Sequence, residues 1–220
     1  MSTEKLIDRK HYVLVHGVCH GAWCWYKVKP RLESAGHLVT VLDLAASGTN
    51  LKKIEDVNTI SEYSEPLLQL MATIPPNEKV ILVGHSLGGL NIALAMEQFP
   101  EKVAVGVFLT AVAPDIDHNA SHVLEKDLEL AKTLLRPGSL FIEDLIQQKN
   151  LFSKQGYGSV PRAFVVCKDD LGIPLKFQHW MIQNAGINDV LEIKGADHMA
   201  MLCKPQQLYD SLNQISTKYT

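Results

Sequence analysis

The chain is predicted to be an α/β protein, a mostly parallel sheet of about six strands flanked by helices. Short β-branched runs alternate with longer helical patterns from one end of the sequence to the other. The strand runs are continuously apolar, as in a parallel sheet covered on both faces. A third observation is local: "KVILVGHSLGGLNIALAM", Lys79 to Met96, passes from such a strand through a glycine-flanked serine straight into an apolar helix.

In order, strands are expected at "YVLVHG" (12–17), "LVTVLDL" (38–44), "KVILVG" (79–84), "AVGVFLTA" (104–111), "RAFVVC" (162–167) and "DVLEIK" (189–194). Helices are expected near 23–35, 61–73, 87–98, 175–185 and 205–217. This βαβα rhythm places ligands at the carboxyl ends of the strands. From Asp115 to about Gln155 the rhythm breaks. "DIDHNASH" is polar, "VLEKDLELAKTLL" is helical, and "RPGS" interrupts before "LFIEDLIQQ". Residues 1–114 and 156–220 are therefore read as one core domain and 115–155 as a cap or lid inserted after the strand at 104–111.

Composition narrows the function. With 220 residues, 46% hydrophobic and 20% charged, the chain can bury a core without staples and has an ordinary globular mix. A net charge of −3 argues against a nucleic-acid partner. The first apolar run is too short for a signal sequence, and nothing later approaches a membrane span, so a cytoplasmic protein with no membrane partner is expected. Cys19, Cys24, Cys167 and Cys203 form no C-x-x-C and no zinc spacing and are expected to be reduced and packed. No metal or cofactor is called for.

The G-x-S-x-G of "GHSLGG" falls after a strand and at the start of a helix. A sharp strand-to-helix turn there would raise Ser86 above the sheet edge, with glycines two residues to each side keeping side chains clear of the neighbouring strand and helix. The helix start leaves the Leu87 N–H free and adds a positive dipole beside Ser86. A serine is a weak nucleophile without a base, and the base needs an acid to orient it. His198, in "KGADHMAML", is the one histidine that follows a late strand and precedes the last helix. "RAFVVCKDDLGIP" offers Asp169 and Asp170 as the acid, with Asp170 favoured, Asp115 an alternative, and Asp197 too close to His198 to orient its ring. A second oxyanion donor is expected from "HGVCHGAW", where Gly17 would let the backbone turn tightly and leave the Val18 N–H facing the site. His20 is open between contacting substrate and holding its loop.

With "VLVHGVCHGAWCWYKVKPRLESAGH", "LDLAASGTN", "ILVGHSLGGLNIALAMEQFPEKV", "GSLFIEDL" and "LEIKGADHMAML" in this order, the chain resembles the plant methylesterase family of α/β-hydrolases from about His11 onward. The resemblance implies an α/β-hydrolase fold. By position it puts the nucleophile on Ser86, the acid on Asp170, the base on His198 and the oxyanion donors on Val18 and Leu87. It further implies a small-molecule ester as substrate, a pocket including Gly17, His20, Val112, Leu140, Phe141 and Met199, and a homodimer. The family also holds hydroxynitrile lyases, which carry a threonine at the position of Gly17, a glutamate at His85 and a lysine at Met199. This chain follows the esterase pattern at all three. A salicylate-like binding protein on the same fold is the rival from another class. Relatives carry roughly 45 more residues as cap helices between "HNASHVLEK" and "DLELAKTLLRPGSLF", so a shortened cap is expected.

Overall fold

The computed structural model describes residues 9–122, 139–148 and 150–220. Six strands form one sheet: β1 (His11–Val15), β2 (Leu38–Leu42), β3 (Val80–His85), β4 (Val103–Leu109), β5 (Arg162–Cys167) and β6 (Asp189–Ile193). Their spatial order is β2-β1-β3-β4-β5-β6 and every pairing is parallel. The helices are α1 (Lys29–Ser34), α2 (Ile60–Thr73), α3 (Gly88–Gln98), α4 (Ile142–Gln147), α5 (Leu175–Asn184), α6 (Ala200–Cys203) and α7 (Pro205–Tyr219). The expected helix at 23–35 is split into a 3₁₀ turn at Ala22–Trp25 and α1, which starts at Lys29 with Pro30 in its first turn, where its fixed φ and missing N–H are tolerated. The helical reading of 123–135 lies outside the described residues.

The all-apolar strands have two dry faces because helices cover both. Val13, Val15, Leu82, Phe108, Phe164 and Val166 join residues of α2, α3 and α5 in one core cluster. Tyr12, Leu14, Val83, Val107, Val165 and Cys167 join Trp25, Leu32, Leu208 and Ile215 in the other. Strand β4 also carries a register shift against β3: Val80 pairs with Val103, but Ile81 pairs with Val105. The extra residue flips the alternation, so Val103 faces the first cluster while Val105, Val107 and Leu109 face the second.

Two features bring the elements together around the end of β3. Helix α2 begins with a capping box in which Thr59 accepts from the Glu62 N–H and the Glu62 carboxylate accepts from the Thr59 N–H. The Ile60 N–H is taken by Asp144 of α4 at 2.9 Å, and Phe141 packs on Tyr63 with ring centres 5.3 Å apart, so α4 sits over the start of α2. Helix α3, in turn, approaches β1 and β3 closely enough to require glycine. A methyl on Gly84 would lie 2.6 Å from the Gly88 carbonyl oxygen, one on Gly88 2.7 Å from that of His16, and one on Gly89 2.2 Å from that of Val112. Each obstacle is backbone and has no rotamer to yield. Gly89→Ala is therefore expected to cost about 1–3 kcal/mol as an overpacked core substitution, seen as a fall of several degrees in Tm; an unchanged melt would show that α3 is free to slide.

Candidate active site

Ser86 follows directly on β3 and stands at φ 54, a left-handed conformation that L side chains rarely adopt. Hydrogen bonds hold it there: its N–H donates to the Leu109 carbonyl at 3.4 Å, and its own carbonyl accepts from Gly89 N–H at 3.1 Å and Val112 N–H at 2.9 Å. The hydroxyl has no hydrogen-bond partner among the described residues. The strain is shared along this rim of the sheet. Cys19, Ala46 and Thr110, each within four residues of the end of β1, β2 or β4, also have positive φ.

Asp170 lies just past β5, and its carboxylate is saturated. Oδ1 accepts from the N–H groups of Gly172 at 2.6 Å and Ile173 at 2.8 Å, while Oδ2 accepts from Thr110 Oγ1 at 2.5 Å and from His198 Nδ1 at 2.8 Å. Because the carboxylate only accepts, His198 carries its proton on Nδ1 and leaves Nε2 bare, the state a general base needs. Burial pushes the Asp170 pKa up, but the His198 hydrogen bond and charge and the Thr110 and Ile173 donors outweigh it, and the net shift is downward.

The other acids have other work. Asp169 is exposed, whereas Asp170 is 4% exposed. Asp115 accepts from the N–H groups of Asp117 and His118 and from the His118 ring. Asp197 accepts from the Met199 N–H and the Cys203 thiol, at the two ends of α6.

The loop after β1 differs in its reason from the expectation. Gly17 takes no positive φ; the left-handed residue of the turn is Cys19, at φ 62, with the His20 N–H closing back on the Gly17 carbonyl at 3.3 Å. Gly17 is needed for space, since a methyl there would lie 2.7 Å from Ser86 Cβ and 3.0 Å from His85 Nδ1. The N–H groups of Val18 and Leu87 have no acceptor among the described residues. His20 donates from Nδ1 to the Val18 carbonyl at 2.9 Å and stacks on Trp23, so it holds its loop. Val18, Leu87, Val112, Leu140 and Phe141 all pack with the first core cluster; Met199 packs partly against the second, across the sheet. Cys24 and Cys167 are buried as expected, but Cys19 and Cys203 are exposed because both sit in loops or helix ends at the rim.

Three residues around this site carry more than the sequence suggested. His85 is fully buried beside His198, ring centres 4.7 Å apart, and its Nε2–H donates to the His198 carbonyl at 2.8 Å. Burial, reinforced by the His198 charge, holds its pKa well below that of a free histidine, so it stays neutral. Asp43 accepts from the Ala22 N–H at 2.7 Å and from the N–H and hydroxyl of Thr49, tying the loops after β1 and β2 together. Thr110 is the polar end of an apolar strand, a visible signal whose partner, Asp170, is 60 residues away.

Two outcomes follow. Thr110→Val, which strips one donor from a buried carboxylate, is expected to cost about 1.5–3 kcal/mol in chemical denaturation. The pKa of Asp170 is lower in the folded chain than in the unfolded one, so its stabilisation is fully present above the unfolded value near pH 4 and is lost as pH falls through the folded pKa. Asp170→Asn should melt below the parent protein at neutral pH, and the gap should close only below about pH 4; a gap that closes near neutrality would contradict a lowered Asp170 pKa.

The comparisons with known proteins agree with this architecture. A family model described as "alpha/beta hydrolase fold" matches residues 10–140. Methylesterase 1 of Arabidopsis thaliana is 49% identical over an alignment covering 100% of both chains, and salicylic acid-binding protein 2 of Nicotiana tabacum is 48% identical over 96% of this chain and 99% of that one. The crystal structure of polyneuridine aldehyde esterase superimposes with a TM-score of 0.89 at 43% identity, covering 95% of this chain and 100% of that one. The alignment to Methylesterase 1 spans 265 positions against 220 residues here, so at least the difference of 45 positions has no residue in this chain, the size of the shortening expected for the cap. The chain belongs to the plant methylesterase family of α/β-hydrolases, and with it to the carboxylic ester hydrolases.

Proposed function

We propose that the chain is a serine esterase that hydrolyses the methyl ester of a small aromatic, hormone-like or alkaloid acid. The observation that carries this reading is the strained Ser86, next to two backbone N–H groups with no acceptor among the described residues, on the same rim of the sheet as a His198 whose Nδ1–H is held by Asp170. The names of similar proteins, methylesterase and polyneuridine aldehyde esterase, support the substrate class.

In the proposed cycle His198 Nε2 takes the Ser86 proton as Oγ attacks the ester carbonyl. The tetrahedral oxyanion is met by the Val18 and Leu87 N–H groups, and His198 returns the proton to the departing methanol. Water, deprotonated by His198, then cleaves the acyl-enzyme. Asp170 keeps the imidazole in the required tautomer and stabilises its charged form. None of these steps calls for a metal or organic cofactor. Of the positions that separate esterases from lyases, Met199 bears on the chemistry directly, because it offers no cation to a leaving cyanide. We also keep the core at 1–114 and 156–220, the cap at 115–155, a cytoplasmic location and a homodimer as parts of this reading.

The test is a panel of methyl salicylate, methyl jasmonate, methyl indole acetate and mandelonitrile with purified protein. At least one ester is expected to turn over, with Ser86→Ala lowering kcat by about 10⁴-fold or more. Turnover by Ser86→Ala at the parent rate overturns the mechanism. Tight binding of an aromatic acid with no ester turnover favours a receptor.

A further inference from the structure

We infer that His16 is a positioning residue that aims the Val18 N–H at the oxyanion. The inference rests on the proposed esterase reading and adds to it the part that holds the oxyanion donor in place.

His16 follows β1 and is fully buried. The Leu44 N–H donates to its Nε2 at 3.1 Å. A ring nitrogen that accepts an amide proton cannot hold one itself, so the single proton of the neutral ring sits on Nδ1. From there it donates to the Gly17 carbonyl oxygen at 2.7 Å. The same oxygen accepts from the His20 N–H at 3.3 Å. Two donors on one side thus fix the direction of the Gly17 C=O.

The Gly17–Val18 peptide is planar and trans, as are all described peptide bonds, so its N–H points opposite to its C=O. Fixing the carbonyl toward His16 turns the Val18 N–H away from it, and that N–H has no acceptor among the described residues. Gly17 itself lies against Ser86, with its missing methyl 2.7 Å from Ser86 Cβ. A glycine in a loop lets the peptide that follows it flip, and a flip here would offer the intermediate a carbonyl oxygen where it needs a donor. His16 makes that flip costly because the buried Gly17 carbonyl would lose its hydrogen bond to a fully buried ring. The clamp is itself clamped. Leu44 follows Asp43, whose carboxylate holds the Ala22 and Thr49 N–H groups, so the β2 loop sets the tautomer that sets the β1 loop.

The experiment compares the parent enzyme, His16→Leu and His16→Gln on its best ester. It also measures binding of an aryl trifluoromethyl ketone, whose serine adduct carries the oxyanion, and of the product acid, which forms none. His16→Leu is expected to lose roughly 10²–10³-fold in kcat, as for removal of one oxyanion donor, with KM and product binding nearly unchanged. Ketone affinity should fall in parallel. His16→Gln, which keeps one donor and one acceptor, should recover most of the loss.

Loss of product binding together with ketone binding, or ketone affinity and kcat within threefold of the parent in His16→Leu, overturns the inference. That failure differs from failure of the esterase reading, in which Ser86→Ala keeps its turnover. Should His16→Leu not fold, ¹⁵N spectra of the parent protein decide: an Nδ1–H tautomer of His16 upholds the clamp and an Nε2–H tautomer overturns it.

Discussion

The structure depends on one backbone constraint, the left-handed turn at Ser86 between β3 and α3. A non-glycine residue at φ 54 costs of the order of 1 kcal/mol and persists only where its surroundings enforce it. Enforcement comes from the three hydrogen bonds on the Ser86 backbone, two of which reach the end of β4. It comes equally from the descent of α3 onto β1 and β3, which leaves no room for a methyl at Gly84, Gly88 or Gly89. The sheet order then does the rest, because β3 lies between β1 and β4 and their loops are the nearest neighbours of whatever residue 86 presents.

Parallel pairing along the sheet puts every strand end on the same rim, and this is why acid, base and donors meet there. Thr110 from the end of β4 donates to Asp170 from the end of β5, which accepts from His198 beyond β6. Each link spans neighbouring strands, so none needs a long side chain or a flexible loop. The cost is local strain at Cys19, Ala46 and Thr110 as well as Ser86, spread over four loops rather than held in one.

Much of this was legible in the sequence because it is written in short spacings. The strands were placed to within about two residues at each end because buried parallel strands are continuous apolar runs. Ser86 was found from the glycines at 84 and 88, and the choice of Asp170 over Asp169 rested on position and family resemblance. The structure adds the reason, that Asp170 is inside and Asp169 outside. What stayed hidden is what depends on partners remote in sequence. Nothing in "HGVCHG" tells that Cys19 rather than Gly17 turns left-handed, and nothing in "VLDLAASGTN" tells that Asp43 secures the loop after β1.

The histidines make the same point most sharply. Of nine in the chain, His16, His85 and His198 lie along one rim, chemically identical as residues yet set to different tasks by what they touch. His198 faces an ionised carboxylate, which accepts a hydrogen bond from its Nδ1–H and leaves Nε2 to act as a base. His85 is enclosed, and its Nε2–H is bound to a carbonyl, so it stays neutral and braces the backbone that carries His198. His16 accepts an amide proton on one side and donates to a carbonyl on the other. Burial pulls the His16 pKa down, with the hydrogen bond to the Gly17 carbonyl and the Asp43 charge only partly opposing it, which preserves the neutral form that this two-sided role requires. Two rings that donate from Nδ1 and one that donates from Nε2 form an arrangement that no spacing rule encodes, since each is decided by what the ring touches in the fold. A positive charge introduced among them would repel the imidazolium that His198 must become during the proposed reaction. Keeping His16 and His85 uncharged is therefore as much a part of the site as the charge on Asp170.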